Sequence, residues 1–152
     1  MAFDFDGVFT DNTVWSDGSG NEWVRSWRGD GLGLAKLRAL GIPAWVLSTE
    51  GHPAVARRCQ KLGIDCRPGL VDKLAALVEI AGLAGVTLED TVFVGNDVND
   101  AACLRAVGLP IIVADANPEV AGLAKYRTRA NGGFGAVREV CDWIEASLAR
   151  AR

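Results

Sequence analysis

Short apolar runs alternate along the chain with longer stretches in which apolar positions recur every three or four residues. Ala2–Phe5, Ala44–Leu47, Val92–Val94 and Pro110–Val113 are brief and nearly all apolar. That is the pattern of strands covered on both faces. Between them, Leu32, Ala35, Leu37 and Leu40 mark a first helix closed by Gly41. Val55–Leu62 marks a second closed by Gly63, Leu70–Ala81 a third, and Asp100–Val107 a fourth closed by Gly108. The three glycines are placed where a helix C-terminus takes a left-handed residue. Phe134, Val137, Val140, Ile144 and Leu148 give a last helix. Strand–helix alternation predicts an α/β fold with a parallel central sheet, right-handed crossovers and helices on both sides.

One segment departs from the alternation. Thr13–Trp15 and Glu22–Trp27 read as strands flanking Ser16-Asp17-Gly18-Ser19-Gly20-Asn21, a β-hairpin inserted after the first strand. Trp23, Arg25 and Trp27 alternate along it and share one face. No repeat or linker interrupts the chain, which reads as a single domain over residues 1–152.

Composition narrows the function classes. A chain of 152 residues buries roughly 70% of its unfolded surface without a disulfide or metal staple. A net charge of −3 argues against a nucleic-acid surface, which is ordinarily basic. Asp4 and Asp6 interrupt the N-terminal apolar run, and no stretch approaches the ~20 apolar residues of a bilayer span. Cys59, Cys66, Cys103 and Cys141 form no CxxC pair, and His52 is the single histidine, so no zinc set forms. The cysteines read as small buried hydrophobes of a cytoplasmic protein. Mean hydropathy is +0.16, high for a chain this short, which implies a buried sheet, a covered apolar surface, or both.

In a doubly wound sheet, ligands bind beyond the C-terminal ends of the strands. Asp4, Asp6, Gly7, Thr10 and Asp11 follow the first strand, and Ser48, Thr49 and Glu50 follow the second. Lys73 opens the third helix, and Gly95, Asn96, Asp97, Asn99 and Asp100 follow the next strand. Asp4 and Asp6 point the same way if extended, and two carboxylates so placed repel unless a cation lies between them. Oxygen ligands of this kind suit Mg²⁺ together with a substrate phosphate. One aspartate can then attack phosphorus while the other carries a proton to the leaving oxygen. Ser48 can hold a phosphate oxygen, and Lys73 can neutralise one. Each signal alone is weak; their order along the chain is informative.

That order resembles the haloacid dehalogenase superfamily. Asp4-Phe5-Asp6-Gly7-Val8-Phe9-Thr10-Asp11, the strand Ala44–Ser48, Lys73, and Gly95–Asp100 match its four motifs. The hairpin, Arg28-Gly29-Asp30-Gly31, Val71-Asp72-Lys73-Leu74 and Asn131–Glu139 resemble its capless branch of 3-deoxy-D-manno-octulosonate (KDO) 8-phosphate and nonulosonate (KDN or N-acylneuraminate) 9-phosphate phosphatases. The resemblance implies a capless three-layer Rossmann-like fold, with Asp4 as nucleophile and Asp6 as general acid/base. It implies Mg²⁺ held by Asp4, Asp6 and the fourth motif (Asn96, Asp97, Asp100), and phosphate held by Ser48, Thr49, Lys73 and Asn99. It further implies substrate contacts from Glu50, Lys61 and Arg138, and a homotetramer in which hairpins pack together.

Glu50 with Lys61 eleven positions on resembles the nonulosonate members more than the octulosonate ones, so a nonulosonate 9-phosphate is the expected substrate. Two departures from the pattern stand out. Asn96 occupies the first acidic place of the fourth motif, where an amide oxygen still ligates Mg²⁺ with one charge fewer. Thr49 replaces a glycine beside the phosphate. These departures motivate the alternative of a weakly active or inactive oligomerisation domain associated with a CMP-acylneuraminate synthetase. Gly29-Asp30-Gly31-Leu32-Gly33 precedes a helix but lacks the third glycine of a dinucleotide loop.

Overall fold

The structure, a computed structural model, describes residues 1–150. Its strands are β1 (Ala2–Phe3), β2 (Thr10–Ser16), β3 (Glu22–Ser26), β4 (Trp45–Leu47), β5 (Asp65–Arg67), β6 (Val92–Gly95), β7 (Leu109–Ile112) and β8 (Tyr126–Arg127). Its α-helices are α1 (Asp30–Ala39), α2 (Pro53–Leu62), α3 (Lys73–Leu83), α4 (Ala101–Ala106) and α5 (Ala136–Arg150). Six strands form one parallel sheet in the order β5-β4-β1-β6-β7-β8, and β2 pairs with β3 as a separate antiparallel hairpin. The α/β architecture with its hairpin after the first strand is as expected from the sequence.

The core explains the apolar runs. Phe3, Val46, Phe93, Val94 and Ile111 are fully buried in the sheet, and Phe9 meets Phe3 edge-on at 5.7 Å between ring centroids. α1 packs along α5 and α3 along α4. Right-handed crossovers set these pairs on opposite faces. Leu34 and Leu37 of α1 and Val137 and Val140 of α5 are all buried. Burying a side chain of this size contributes about 1.5–3 kcal/mol.

Several boundaries differ from the pattern reading. β1 ends at Phe3, two residues early, because Asp4 and Phe5 already turn into the loop, where the Phe9 N–H donates to the Phe5 carbonyl at 2.8 Å. α2 starts at Pro53, two residues early, with His52 Nδ1 accepting from the Ala54 N–H as an N-cap. α3 starts at Lys73 rather than Leu70, capped by Asp72. Gly63 closes α2 in the left-handed conformation, as expected. Gly108 does not close α4: its φ is not positive, and a Cβ there would lie 1.7 Å from the Glu89 carbonyl oxygen. Close approach, not handedness, requires that glycine. β5 and β8 escape the reading because three and two residues carry no periodic signal.

Trp27 lies beyond the end of β3 rather than on its face, packed over Gly29 and Gly135, where a Cβ would strike its ring. Cys59, Cys103 and Cys141 are buried and Cys66 is half-buried, all as free thiols. Burial pushes the first three up to about 12. Among the described residues, no helix is long and apolar enough to cross a membrane.

Candidate active site

β1 is flanked by β4 on one side and β6 on the other, so the chain reverses its direction of travel across the sheet there. A crevice opens at such a switch point. Asp4 follows β1, Asn96 follows β6 and Ser48 follows β4, and all three line a cavity of about 250 Å³ together with Asp6, Asn12, Thr49, Asp97, Val98 and Asn99.

Asp4 is buried, and its two oxygens face different partners. Oδ1 accepts from Lys73 Nζ at 2.7 Å and from the Phe5 N–H at 2.7 Å. Oδ2 lies 3.3 Å from the Asn96 side-chain amide. Burial, then the neighbouring Asp100, push the Asp4 carboxyl above its ordinary range, and Lys73 opposes both. Burial pulls the Lys73 ammonium down, but Asp4 and Asp100 outweigh it and hold it above its usual range. The lysine therefore stays charged between two carboxylates.

Asp6 lines the same cavity and is half-buried. Thr10 Oγ1 donates to Asp6 Oδ1 at 3.3 Å and accepts from the Gly7 N–H at 3.1 Å, which orients the carboxylate. Burial raises the Asp6 carboxyl above its ordinary range, the direction that suits a proton carrier. Gly7 has φ +78°, and a Cβ there would lie 2.0 Å from the Asn96 amide. Glycine is needed on both counts.

Within the fourth motif, the carboxylates meet protein partners. Asp100 is fully buried and turned away from the cavity. Its Oδ1 accepts from Lys73 Nζ at 2.8 Å, and its Oδ2 accepts from the Asn96 N–H at 2.8 Å and the Asp97 N–H at 3.4 Å. Both oxygens are spent on holding the loop. Gly95 makes room for it, since a Cβ there would stand 2.5 Å from Asp100 Oδ2. Asp97 Oδ1 accepts from the Val98 N–H at 2.7 Å, capping the following turn. Among the described residues, no three His, Cys, Asp or Glu side chains converge as a metal cluster. The set that does converge is mixed. One amide atom of Asn96 lies 3.0 Å from the Asp6 carbonyl oxygen and 3.3 Å from Asp4 Oδ2. Adjacent oxygens around Mg²⁺ at ~2.1 Å lie about 3.0 Å apart, so a carboxylate, a carbonyl and an amide oxygen here fit that ion.

Other expected contacts are not assembled. Lys61 stands in the last turn of α2, close in sequence to Asp65, which pairs with Trp45 at the N-terminal end of β4. The site is at the opposite end of that strand, so Lys61 does not reach it within one chain. Arg138 Nε is held by both oxygens of Asp142 at 2.8 Å and does not line the cavity. Glu50 is exposed, one residue beyond the cavity, and its charge contributes to raising Asp6. Asp11 is engaged within the hairpin, accepting from Arg25 Nε at 2.8 Å and Thr13 Oγ1 at 2.6 Å. Ser48, Thr49 and Asn99 line the cavity.

Asn12 is a residue the sequence reading missed. It lines the cavity with φ +61°, at the irregularity between Thr10 and Val14 in the hairpin register. Asparagine tolerates that conformation better than most residues, the one local hint available. The Asn131–Gly135 segment has a structural role. Gly133 N–H donates to the Val8 carbonyl at 3.1 Å, and Cβ atoms on Gly132 or Gly133 would strike Gly7 or Asp11 backbone. This loop packs directly on the Asp6 loop. A larger cavity, about 480 Å³, lies at the other end of the sheet among Ile42, Trp45, Leu77 and Trp143. Its apolar walls offer nothing for phosphoryl chemistry.

Comparison with known proteins decides the family. Residues 56–140 match the family model of the haloacid dehalogenase-like hydrolases. The chain is 34% identical over 145 residues to the 3-deoxy-D-manno-octulosonate 8-phosphate phosphatase of Shigella flexneri, covering 95% of this chain and 77% of the relative. The chain belongs to the KDO 8-phosphate phosphatase family of haloacid dehalogenase-like hydrolases. The hydrolase also superimposes on solved relatives. One from Streptomyces avermitilis, described as a HAD family hydrolase, is 44% identical with a TM-score of 0.91 over 97% of this chain and 85% of its own. The Moraxella catarrhalis KDO 8-phosphate phosphatase, solved with magnesium ion, phosphate ion and KDO, is 32% identical with a TM-score of 0.90 over 99% and 91%.

Proposed function

We propose that this hydrolase removes phosphate from a 3-deoxy-2-keto sugar acid phosphomonoester through an aspartyl-phosphate on Asp4. The observation that carries the reading is the placement of Asp4 between Lys73 and the Asn96–Asp6 oxygen cluster, with Asp6 lining the same cavity. Mg²⁺ bound by Asp4, the Asp6 carbonyl and Asn96 would neutralise charge on the phosphoryl oxygens. An Asp4 oxygen attacks phosphorus; the phosphorus–alkoxide bond breaks, and the Asp6 carboxyl gives its proton to the leaving oxygen. The Asp6 carboxylate then takes a proton from water as the water oxygen attacks phosphorus, and the Asp4–phosphorus bond breaks. Lys73 favours the ionised form of Asp4 and aims it, Asp100 anchors Lys73, and Ser48, Thr49 and Asn99 are placed to hold phosphoryl oxygens.

The names of the relatives support KDO 8-phosphate as substrate. A second reading, a KDN or N-acylneuraminate 9-phosphate, rests on Glu50 beside the cavity, which would accept from a substrate amine or hydroxyl. Lys61 supports it only if contributed by a neighbouring copy. Association with a CMP-acylneuraminate synthetase belongs with that second reading. We infer a homotetramer as the working form, because the hairpin leaves Val14, Trp15 and Trp23 exposed.

Phosphate release from both acids, with Mg²⁺ and with EDTA, tests the proposal. Turnover is expected in Mg²⁺ only, and the higher kcat/KM identifies the acid. Absence of Mg²⁺-dependent turnover of either would overturn it.

A further inference from the structure

The contacts of the Asn96 amide have two chemical meanings. The amide atom at 3.0 Å from the Asp6 carbonyl and 3.3 Å from Asp4 Oδ2 is Oδ1 in one orientation and Nδ2 in the other. A half-turn about the terminal side-chain bond exchanges them and moves no backbone, because that torsion is broad and roughly two-fold. With Oδ1 inward, three oxygens meet with no proton among them, an arrangement favourable only around a cation. With Nδ2 inward, the same two distances become N–H···O hydrogen bonds, and the cluster is satisfied by protein alone. An aspartate has no second orientation of this kind, since both its outer atoms are oxygens.

We propose that Asn96 is a two-position residue: its amide oxygen completes the Mg²⁺ site, and its amide NH₂ closes the same site by donating to Asp4 and Asp6 when no cation is bound. This rests on the metal reading above and goes beyond it. Mg²⁺ binding must break two hydrogen bonds and gains one charge fewer than a carboxylate offers. In exchange, the cation-free protein keeps Asp4 Oδ2 and the Asp6 carbonyl in place, with no cluster of repelling oxygens. Gly7 is part of the device, since any Cβ there would occupy the space of the amide. The neighbouring carboxylates of the same motif are held differently: Asp100 by Lys73 and two backbone N–H groups, and Asp97 Oδ1 by the Val98 N–H.

The test combines Mg²⁺ titration calorimetry and thermal melting of wild type and Asn96→Asp with side-chain amide NMR of wild type. Asn96→Asp is expected to bind Mg²⁺ about tenfold or more tightly. It should melt below wild type in EDTA and gain more from saturating Mg²⁺. In wild type, the Asn96 NH₂ signals, identified by their loss in the variant, should be protected from exchange in EDTA and shift when Mg²⁺ is added. Equal affinities, equal melting in EDTA, or NH₂ signals unmoved by bound Mg²⁺ would overturn the inference. If Asn96→Asp does not fold in EDTA, the wild-type amide signals decide it. Failure of both proteins to bind Mg²⁺ would instead overturn the metal reading.

Discussion

Asp4 concentrates the chemistry in one side chain. One oxygen is gripped by Lys73 and the other faces Asn96, so substituting it removes the nucleophile while leaving Lys73 neutralised by Asp100. Asp4→Asn is expected to lower kcat by about a thousandfold or more with the melting temperature nearly unchanged. A phosphate-release assay beside a thermal melt checks this, and retained turnover would exclude Asp4 as nucleophile. At this scale the sequence shows which polar residues follow the strands and not which partners each one meets. Asp100 carries a motif position expected to hold metal, yet its oxygens are used up by Lys73 and the loop backbone. Residue spacing cannot distinguish an inward carboxylate from one tucked beneath the loop.

Between elements, Asp30 is the informative group. It opens α1 and accepts from the Arg138 N–H of α5 at 3.1 Å, joining the two helices. Its Oδ2 is buried without a hydrogen-bond partner. Burial pushes this carboxyl up to about 6, with the Arg138 N–H and Arg58 opposing. Because the folded state raises the value, the neutral acid favours folding. That stability is full below the ordinary carboxylate range and is lost as pH rises through about 6. Asp30→Asn is therefore expected to match wild type near pH 4 and exceed it at pH 7, by up to about 3 kcal/mol. Chemical denaturation at the two pH values measures the difference, and a gap that fails to widen with pH would contradict it. In sequence the same buried junction shows as a glycine run shared with the family resemblance and superficially like a dinucleotide loop. Glycine content marked close packing there: a Cβ on Gly33 would lie 3.0 Å from the Arg138 backbone.

For the whole molecule, the hairpin poses the main question. It is two-stranded, separate from the six-stranded sheet, and tied to the body by Arg25, which pairs with Asp11 inside the hairpin and lies 3.9 Å over the Phe134 ring of the body. A lone hairpin is marginal in water, and Trp15 is 70% and Trp23 55% exposed. Packing of hairpins from several copies would remove this surface. Light scattering at micromolar protein is expected to give a tetramer, and Trp15→Ser combined with Trp23→Ser a smaller species that remains folded. A monomeric wild type would refute the assembly.

The α/β class, the parallel sheet, the inserted hairpin and the residues crowding one sheet edge were all determined by the sequence. Each depends on local periodicity or on position just after an apolar run, and both are properties of neighbouring residues. The tertiary structure alone decided which of those edge residues share a cavity. It brought Asn96 onto Asp4 and Asp6, and it turned Asp11 and Asp100 to other partners. It also left Lys61 at the far end of α2 and Arg138 on Asp142. These outcomes depend on the order of strands across the sheet and on competition among hydrogen-bond partners distant in sequence, which no local pattern encodes.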